Sequence, residues 1–308
     1  MAVSSEEYQK LVLDDLRTYA GLAHARKASL IERLLVRKAR PSRLHPNPED
    51  EFCDPQIGPN YEIVGKYAND IRNHQKRGDD PLDEPLQIVK MTPRGYGYML
   101  VNGHHRWMAA WRMGLNTVPV RVVNVTLEQD IDKALSRTDH VLCASFDLDE
   151  VLLADGKNGS LTEKARGHLL SLFFRERIRR GAPALINELR RMGFDIWVYT
   201  GSCRSPQYLK NLFAASHFRV DGIVNGLRGA HSMEKINEKL SLKYEVTCHI
   251  DSKGLTCVNT RTHDYSVVDL TGGPETWASE TVTELRKLPD ITRLSETAEG
   301  RKTPGKKA

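Results

Sequence analysis

The stretch Val141-Leu-Cys-Ala-Ser-Phe-Asp-Leu-Asp-Glu-Val-Leu-Leu153 decides the fold. Val141 to Phe146 carry no charge and run straight into Asp147-Leu148-Asp149. Such a run of Val, Leu, Cys and Phe predicts a strand buried on both faces, as in a parallel sheet. It ends in two carboxylates, which places them at its carboxyl end, where open α/β sheets keep their ligand crevice. Extended backbone turns positions i and i+2 to one side, so Asp147 and Asp149 are expected to converge. Two carboxylates so close repel unless a cation lies between them, and a hard cation such as Mg²⁺ suits oxygen ligands. Taken alone, an acidic turn that simply caps a strand is the commoner arrangement, so the rest of the chain has to decide.

Downstream, strand and helix patterns alternate. Ser160-Leu-Thr-Glu163 has the form of a capping box and predicts a helix to about Arg180, which Gly181 ends. Pro183 opens a further helix to about Gly193. Strands are expected at Phe194–Tyr199, 220–224, Val246–Ile250 and 265–270. Helices are expected after Ser205-Pro206, over 234–242 and over 276–288. Repeated strand-loop-helix units imply a mostly parallel, doubly wound sheet over residues 138–290, with the boundary near Asp139. Residues 291–308 have the composition of a basic disordered tail.

Three strand ends in this half carry polar residues: Asp147 with Asp149, then Thr200, then Asp251. Lys235 is within reach from a helix. Such a set can carry phosphoryl transfer: one carboxylate attacks phosphorus, a second protonates the leaving oxygen, and a hydroxyl and a lysine hold the phosphoryl oxygens. The order Phe146-Asp-Leu-Asp-Glu-Val151, Trp197-Val-Tyr-Thr200, Lys235 and His249-Ile-Asp-Ser252 resembles the haloacid dehalogenase-like (HAD) phosphatase superfamily. The resemblance implies Asp147 as nucleophile, Asp149 as general acid/base, and Thr200 and Lys235 as phosphate ligands. It also implies Mg²⁺ held at Asp147, Asp149 (through its carbonyl) and Asp251. Lys239 and Lys243 compete with Lys235 for the lysine role.

The first half reads differently. Ser4 to Arg40 predicts two helices, the second carrying the apolar stripe Leu30, Ile31, Leu34 and Leu35 and ending before Pro41. A Pro-rich connector to Asn60 precedes a helix from Tyr61 to His74. Two strands, 86–91 and 96–101, lead into Asn102-Gly-His-His-Arg106, then a helix from Trp107 to Met113 that Gly114 stops. Gly103 allows a close backbone approach, helix-start N–H groups favour an anion, and Arg106 offers a planar fork for phosphate oxygens. The wider run Gly97-Tyr-Met-Leu-Val-Asn-Gly-His-His-Arg-Trp-Met-Ala-Ala-Trp-Arg-Met-Gly-Leu-Asn-Thr-Val-Pro-Val120 resembles the ParB/sulfiredoxin-like domain. That resemblance implies a small α/β domain whose Gly103-His104-His105-Arg106 turn binds the phosphates of ATP or another nucleoside triphosphate. The turn is closer to that of the ParB-fold free serine kinases, which use an upstream Glu as base; Glu49 and Glu51 are both candidates.

The whole chain is therefore expected to be an α/β protein in two folded parts. N-terminal helices (1–40) precede a ParB/sulfiredoxin-like nucleotide-binding domain (41–137), followed by a doubly wound, Rossmann-like HAD domain (138–290). The net charge of +5 (45 Lys and Arg against 40 Asp and Glu in 308 residues) fits solvated helix faces, phosphorylated substrates and nucleic acid alike. No apolar run reaches the length of a membrane span and no early stretch looks like a signal peptide, so a cytoplasmic protein without membrane contact is expected. The five cysteines lack metal-site spacing and are expected as reduced thiols. The composite expectation is Mg²⁺-dependent hydrolysis of a phosphomonoester, either a small molecule or a nucleic-acid end, on a chain that also binds a triphosphate and acts as a kinase. Two alternatives stay open: a nucleotide sensor that regulates the phosphatase, and a nucleic-acid binder with an inert HAD fold. The sequence leaves the oligomeric state undetermined.

Overall fold

The computed structural model describes residues 24–48, 50–54, 56–92, 97–154, 161–163, 174, 176–202, 204–226 and 230–301. The chain divides into two compact units. One comprises Met1–Leu127 with the short segments Gly201–Ser205 and Gly226–Ser232; the other comprises Glu128–Thr200, Pro206–Asn225 and Met233–Ala308.

The first unit is built on a mixed sheet. Its strands are β1 (His24–Arg26), β2 (Val36–Ala39), β3 (Leu44–Pro46), β4 (Leu86–Thr92), β5 (Tyr98–Asn102) and β6 (Val118–Val122), in the order β2-β6-β4-β5-β3, with β1 beside the far end of β4. β4 runs antiparallel to β5 and parallel to β6, and β3 runs parallel to β5. The helices are α1 (Leu30–Leu34), α2 (Tyr61–Arg77) and α3 (His104–Arg112). α2 starts on an Asn60 side chain that accepts from the N–H groups of Glu62 and Ile63, and stops at Gly78 in the left-handed region. Leu86, Ile88, Leu100, Val118, Val120, Trp107, Met108, Val64 and Ile71 form the core. The indole N–H of Trp107 donates to the Pro41 carbonyl at 2.8 Å, which satisfies the one polar atom of a fully buried ring.

Two readings of this half are corrected. The second N-terminal helix shrinks to α1, opened by a Ser29/Glu32 capping box, and the chain is extended again from Val36. Leu30, Ile31, Leu34 and Leu35 are exposed rather than packed. Helical spacing was present, but β-branched Val36 and its neighbours gain more by pairing with β6, Val36 opposite Arg121 and Ala39 opposite Val118. α3 begins three residues earlier than expected, because His104-His105-Arg106 is its first turn rather than a loop before it. The first N-terminal helix falls outside the described residues.

The second unit has the sheet order β12-β11-β10-β7-β8-β9, where β7 is Leu142–Asp147, β8 Phe194–Thr200, β9 Gly222–Asn225, β10 Val246–Ile250, β11 Gly254–Asn259 and β12 Tyr265–Asp269. β10, β7, β8 and β9 are parallel; β11 and β12 extend one edge antiparallel. α4 (Glu128–Leu135), α5 (Ala182–Arg191), α6 (Pro206–Ala215), α7 (Ala230–Lys243), α8 (Trp277–Lys287) and α9 (Pro289–Arg301) complete the unit. β8 is buried along its whole length, in keeping with its uncharged centre. The core runs through Phe146, Leu148, Leu185, Leu189, Ile196, Val198, Leu212, Phe213, Ile250 and Trp277.

Here too the structure departs from the reading. β11 was not expected; Leu255, Cys257 and Asn259 alternate inward, and Asp251–Gly254 forms a tight hairpin in which the Asp251 N–H bonds the Gly254 carbonyl at 2.8 Å. β11 brings Cys257 directly opposite Cys248, and the two are joined as a disulfide, against the expectation of five reduced thiols. Cys53 and Cys143 are free and buried, and Cys203 lies outside the described residues. The stretch 291–301 is helical, not disordered, because Ile291 and Leu294 at i and i+3 bury one face of α9. Most of the helix expected from Ser160 lies outside the described residues. At its two ends Thr162 bridges Arg179 in extended pairing, so it does not run to Arg180. Among the described residues no helix is long and apolar enough to cross a membrane.

Candidate functional sites

In the first unit the site is a cleft of about 670 Å³ lined by Asp50, Glu51, Phe52, Ile57, Gly58, Asn60, Ile63, Tyr67, Asn102, Gly103, His104, His105 and Arg106. β5 delivers the chain to Gly103, whose φ of +96° turns it into α3. A Cβ there would stand 2.7 Å from Leu86 Cδ2 and 3.2 Å from an Arg106 guanidinium nitrogen, so both backbone angle and space demand glycine. Gly103 has no side chain to cap the helix, and the first intrahelical bond runs from the Trp107 N–H to the Gly103 carbonyl at 2.8 Å. The N–H groups of the first turn, from His104 to Arg106, therefore precede that bond and stand at the cleft wall, with the positive end of the helix dipole behind them.

The two histidines, adjacent in sequence, have separate duties. His104 is buried; its Nε2 accepts from the Asn47 N–H at 3.3 Å and its Nδ1 lies 3.4 Å from Asp50. It ties the Asp50 loop to the start of α3 at the cleft wall. His105 Nε2 accepts from the Asn60 N–H at 3.1 Å, which ties the start of α2 to α3. Burial lowers the His105 pKa, a shift that the nearby Asp50 charge opposes, so the surroundings favour the neutral ring. Phe52 packs against both rings, at centroid distances of 5.3 and 5.1 Å. Arg106 donates to the Glu84 carbonyl at 2.9 Å and lies 3.6 Å from the Glu84 carboxylate. Of the two candidate bases, Glu51 lines the cleft, while Glu49 lies outside the described residues. Sequence reasoning read Phe52 as a packing residue of the connector and gave no site role to it, Asp50 or Asn60. The available signal was Asp50 followed by Glu-Phe, an Asp whose side chain caps the next turn at the Phe52 N–H (3.1 Å).

In the second unit the strand register gathers the expected residues at one end of the sheet. Phe146 pairs with Ile250 in β10 and with Val198 in β8, so Asp147, Asp251 and Thr200 leave three neighbouring parallel strands at their carboxyl ends. Asp147 caps a single π-type turn, Leu148–Leu152, closed by the Leu153 N–H to the Leu148 carbonyl at 2.9 Å. Asp147 Oδ1 accepts from the Glu150 N–H at 2.7 Å, and no bond to Oδ2 is seen among the described residues. The turn brings Asp149 back over the strand end, where its Oδ2 accepts from the Thr200 hydroxyl at 2.6 Å. Thr200 is thus joined to Asp149. Asp251 is exposed and accepts from the Ser252 N–H.

Of the three lysines, Lys239 pairs with Glu128 at 2.8 Å and Asp132 at 2.6 Å, and Lys243 donates to the Thr138 carbonyl at 2.6 Å. Both are engaged away from the strand ends; the Lys235 side chain lies outside the described residues. No three His, Cys, Asp or Glu side chains gather into a metal-holding group among the described residues. The three aspartates are not a three-carboxylate cage; what stands at the strand ends is the Asp147 and Asp251 carboxylates with the main chain of Asp149.

Comparison with known proteins bears on the first unit. Residues 32–137 match the ParB N-terminal domain family, and that segment is a ParB N-terminal domain. A C-terminally truncated chromosome-partitioning protein ParB from Caulobacter crescentus, complexed with CTP-γ-S, is 27% identical over 35% of this chain and 56% of its own, with a TM-score of 0.24. The same protein complexed to the centromeric parS site is 24% identical over 33% of this chain and 47% of its own, with a TM-score of 0.23. The chain thus spans about half the length of the ParB chains it matches. A free serine kinase in complex with AMP is 12% identical over 79% of this chain and 80% of its own, with a TM-score of 0.22. No curated protein matches the chain.

Proposed function

We propose that the chain is a phosphoryl-handling enzyme with two sites: a HAD-like phosphomonoesterase at the strand ends of the second unit, and a nucleoside triphosphate site in the ParB N-terminal domain. The observation that carries the first is the 2.6 Å bond between Thr200 and Asp149 beside Asp147, at the ends of adjacent strands that also deliver Asp251. Neighbouring strands lie about 4.8 Å apart, a spacing that lets carboxylates on both share one small ligand.

In the proposed reaction Asp147 attacks the phosphorus of a monoester through Oδ2, since Oδ1 is occupied by the Glu150 N–H. The P–O ester bond breaks, and the leaving oxygen takes a proton from Asp149. Water then attacks the aspartyl phosphate and gives its proton to Asp149; inorganic phosphate leaves and Asp147 is restored. The Thr200 hydroxyl holds the Asp149 carboxylate in place between these proton transfers. The donors present are all oxygens, which fits Mg²⁺; Asp147, Asp251 and the Asp149 carbonyl would hold it, and when bound it supplies neutralisation of phosphoryl charge. Magnesium-dependent, EDTA-sensitive release of phosphate from an aryl phosphate tests this reading, and absence of turnover across phosphorylated metabolites and oligonucleotides would sink it.

In the ParB domain the first turn of α3 and Arg106 are suited to the phosphates, with Phe52 and Tyr67 as apolar walls. The relative with CTP-γ-S and the kinase with AMP make CTP and ATP the probes to compare. Transfer of labelled γ-phosphate to an acceptor would make this site a kinase. Binding without transfer, together with an altered phosphatase rate, would make it a sensor. Glu51, exposed in the cleft lining, is the carboxylate that the kinase reading would use as its base.

A further inference from the structure

The second unit holds another cleft, of about 400 Å³, between the end of α4 and the connection from α6 to β9. Arg137, Lys210 and Arg219 line it, and all three are exposed. Several other basic side chains of this unit are neutralised: Lys239 by Glu128 and Asp132, Arg180 by Glu275, Arg286 by Glu188, Arg293 by Glu245. None of the three cleft cations has an acidic partner among the described residues. The one carboxylate in the lining, Asp221, is taken by Arg190 and by the Ile196 N–H at 2.8 Å. Asn211 adds a neutral donor, because its Oδ1 accepts from Gln207 at 3.0 Å and its NH₂ is left to give.

Three like charges around one cleft repel one another, and an anion that enters relieves that repulsion. We propose that this cleft binds the phosphates of a nucleic-acid strand. Exposed, spread cations suit a solvated phosphodiester backbone; one small phosphate ion would need donors withdrawn from water. The only aromatic ring in the lining, Phe213, is buried in the core, so the cleft offers no stacking surface and reads backbone rather than bases. The proposal goes beyond the phosphatase reading and does not depend on it.

The test is fluorescence anisotropy of a labelled single-stranded oligonucleotide against the full-length chain over a range of salt. Each phosphate contact to a single strand contributes a slope of about −0.7, so the combined Arg137→Gln, Lys210→Gln, Arg219→Gln variant should lose about 2 from the slope. It should also bind about tenfold or more weakly at low salt, with an unchanged melting temperature. If the triple variant melts lower, Arg219→Gln alone should lose about 0.7. An unchanged slope overturns the proposal. So does displacement of the strand by millimolar inorganic phosphate or ATP, which would indicate a small-anion site. Equal competition by polyglutamate would indicate an acidic protein partner and overturn it as well.

Discussion

The Thr200 hydroxyl donates to Asp149 Oδ2 at 2.6 Å, which links the end of β8 to the turn that follows β7. The bond fixes the carboxylate proposed to exchange protons with the leaving group. Thr200→Val should lower kcat for an aryl phosphate by about 10²-fold, within the range for a lost oriented acid or donor. Thr200→Ser, which keeps the hydroxyl, should recover most of the rate. Equal rates for the two variants would deny the hydroxyl its role.

Asp147→Asn separates chemistry from folding. The Asn side-chain oxygen can still accept from the Glu150 N–H, so the π-type turn should persist and the melting temperature should hold. Turnover should vanish, because an amide does not attack phosphorus. Residual activity at the wild-type rate would remove Asp147 from the nucleophile's place.

Gly103→Ala should destabilise the first unit by about 2 kcal/mol, since a non-glycine residue must pay for a positive φ and Leu86 must also move aside. Chemical denaturation measures the loss. Titration with ATP and CTP at a temperature where the variant is folded should show weaker binding than wild type. An Ala variant as stable as wild type would contradict the contact with Leu86.

His105 carries a pH prediction. Burial lowers its pKa below the ordinary value near 6.5, so the folded chain binds fewer protons than the unfolded chain in the window just beneath that value. Stability from the neutral ring is therefore full above about pH 6.5 and is lost as pH falls through the folded pKa. The wild-type melting temperature should drop more as pH falls from about 7 to about 5, below the ordinary histidine value of about 6.5, than that of His105→Gln. NMR titration of the ring checks the direction, and a pKa above the ordinary value would refute it.

Much of this was legible in one dimension. The uncharged run before Asp147, the buried run before Thr200 and the short strand before Asp251 each stated where a strand ends, and the register of β10, β7 and β8 brought those ends together. Gly114 marked the end of α3, because its positive φ is a local need that only glycine meets cheaply, whereas the start after Gly103 was expected three residues too late. Where local signals compete, the sequence misled. Leu30 to Leu35 have helical spacing, yet the chain gives up the helix at Val36 to pair with β6. Residues 291–301 look polar, yet two apolar side chains suffice to dock α9.

By itself, then, the sequence determined two α/β units, the strand ends that carry carboxylates and the glycine that ends α3, because those features depend on neighbours within a turn or a strand. Only the tertiary structure decided that Thr200 bonds Asp149, that His104 faces Asp50 while His105 faces Asn60, that Lys239 and Lys243 are spent elsewhere, and that Cys248 meets Cys257. Each of these joins residues far apart in the chain or set face to face by pairing. Such partners are chosen by packing and strand register, which no local propensity encodes.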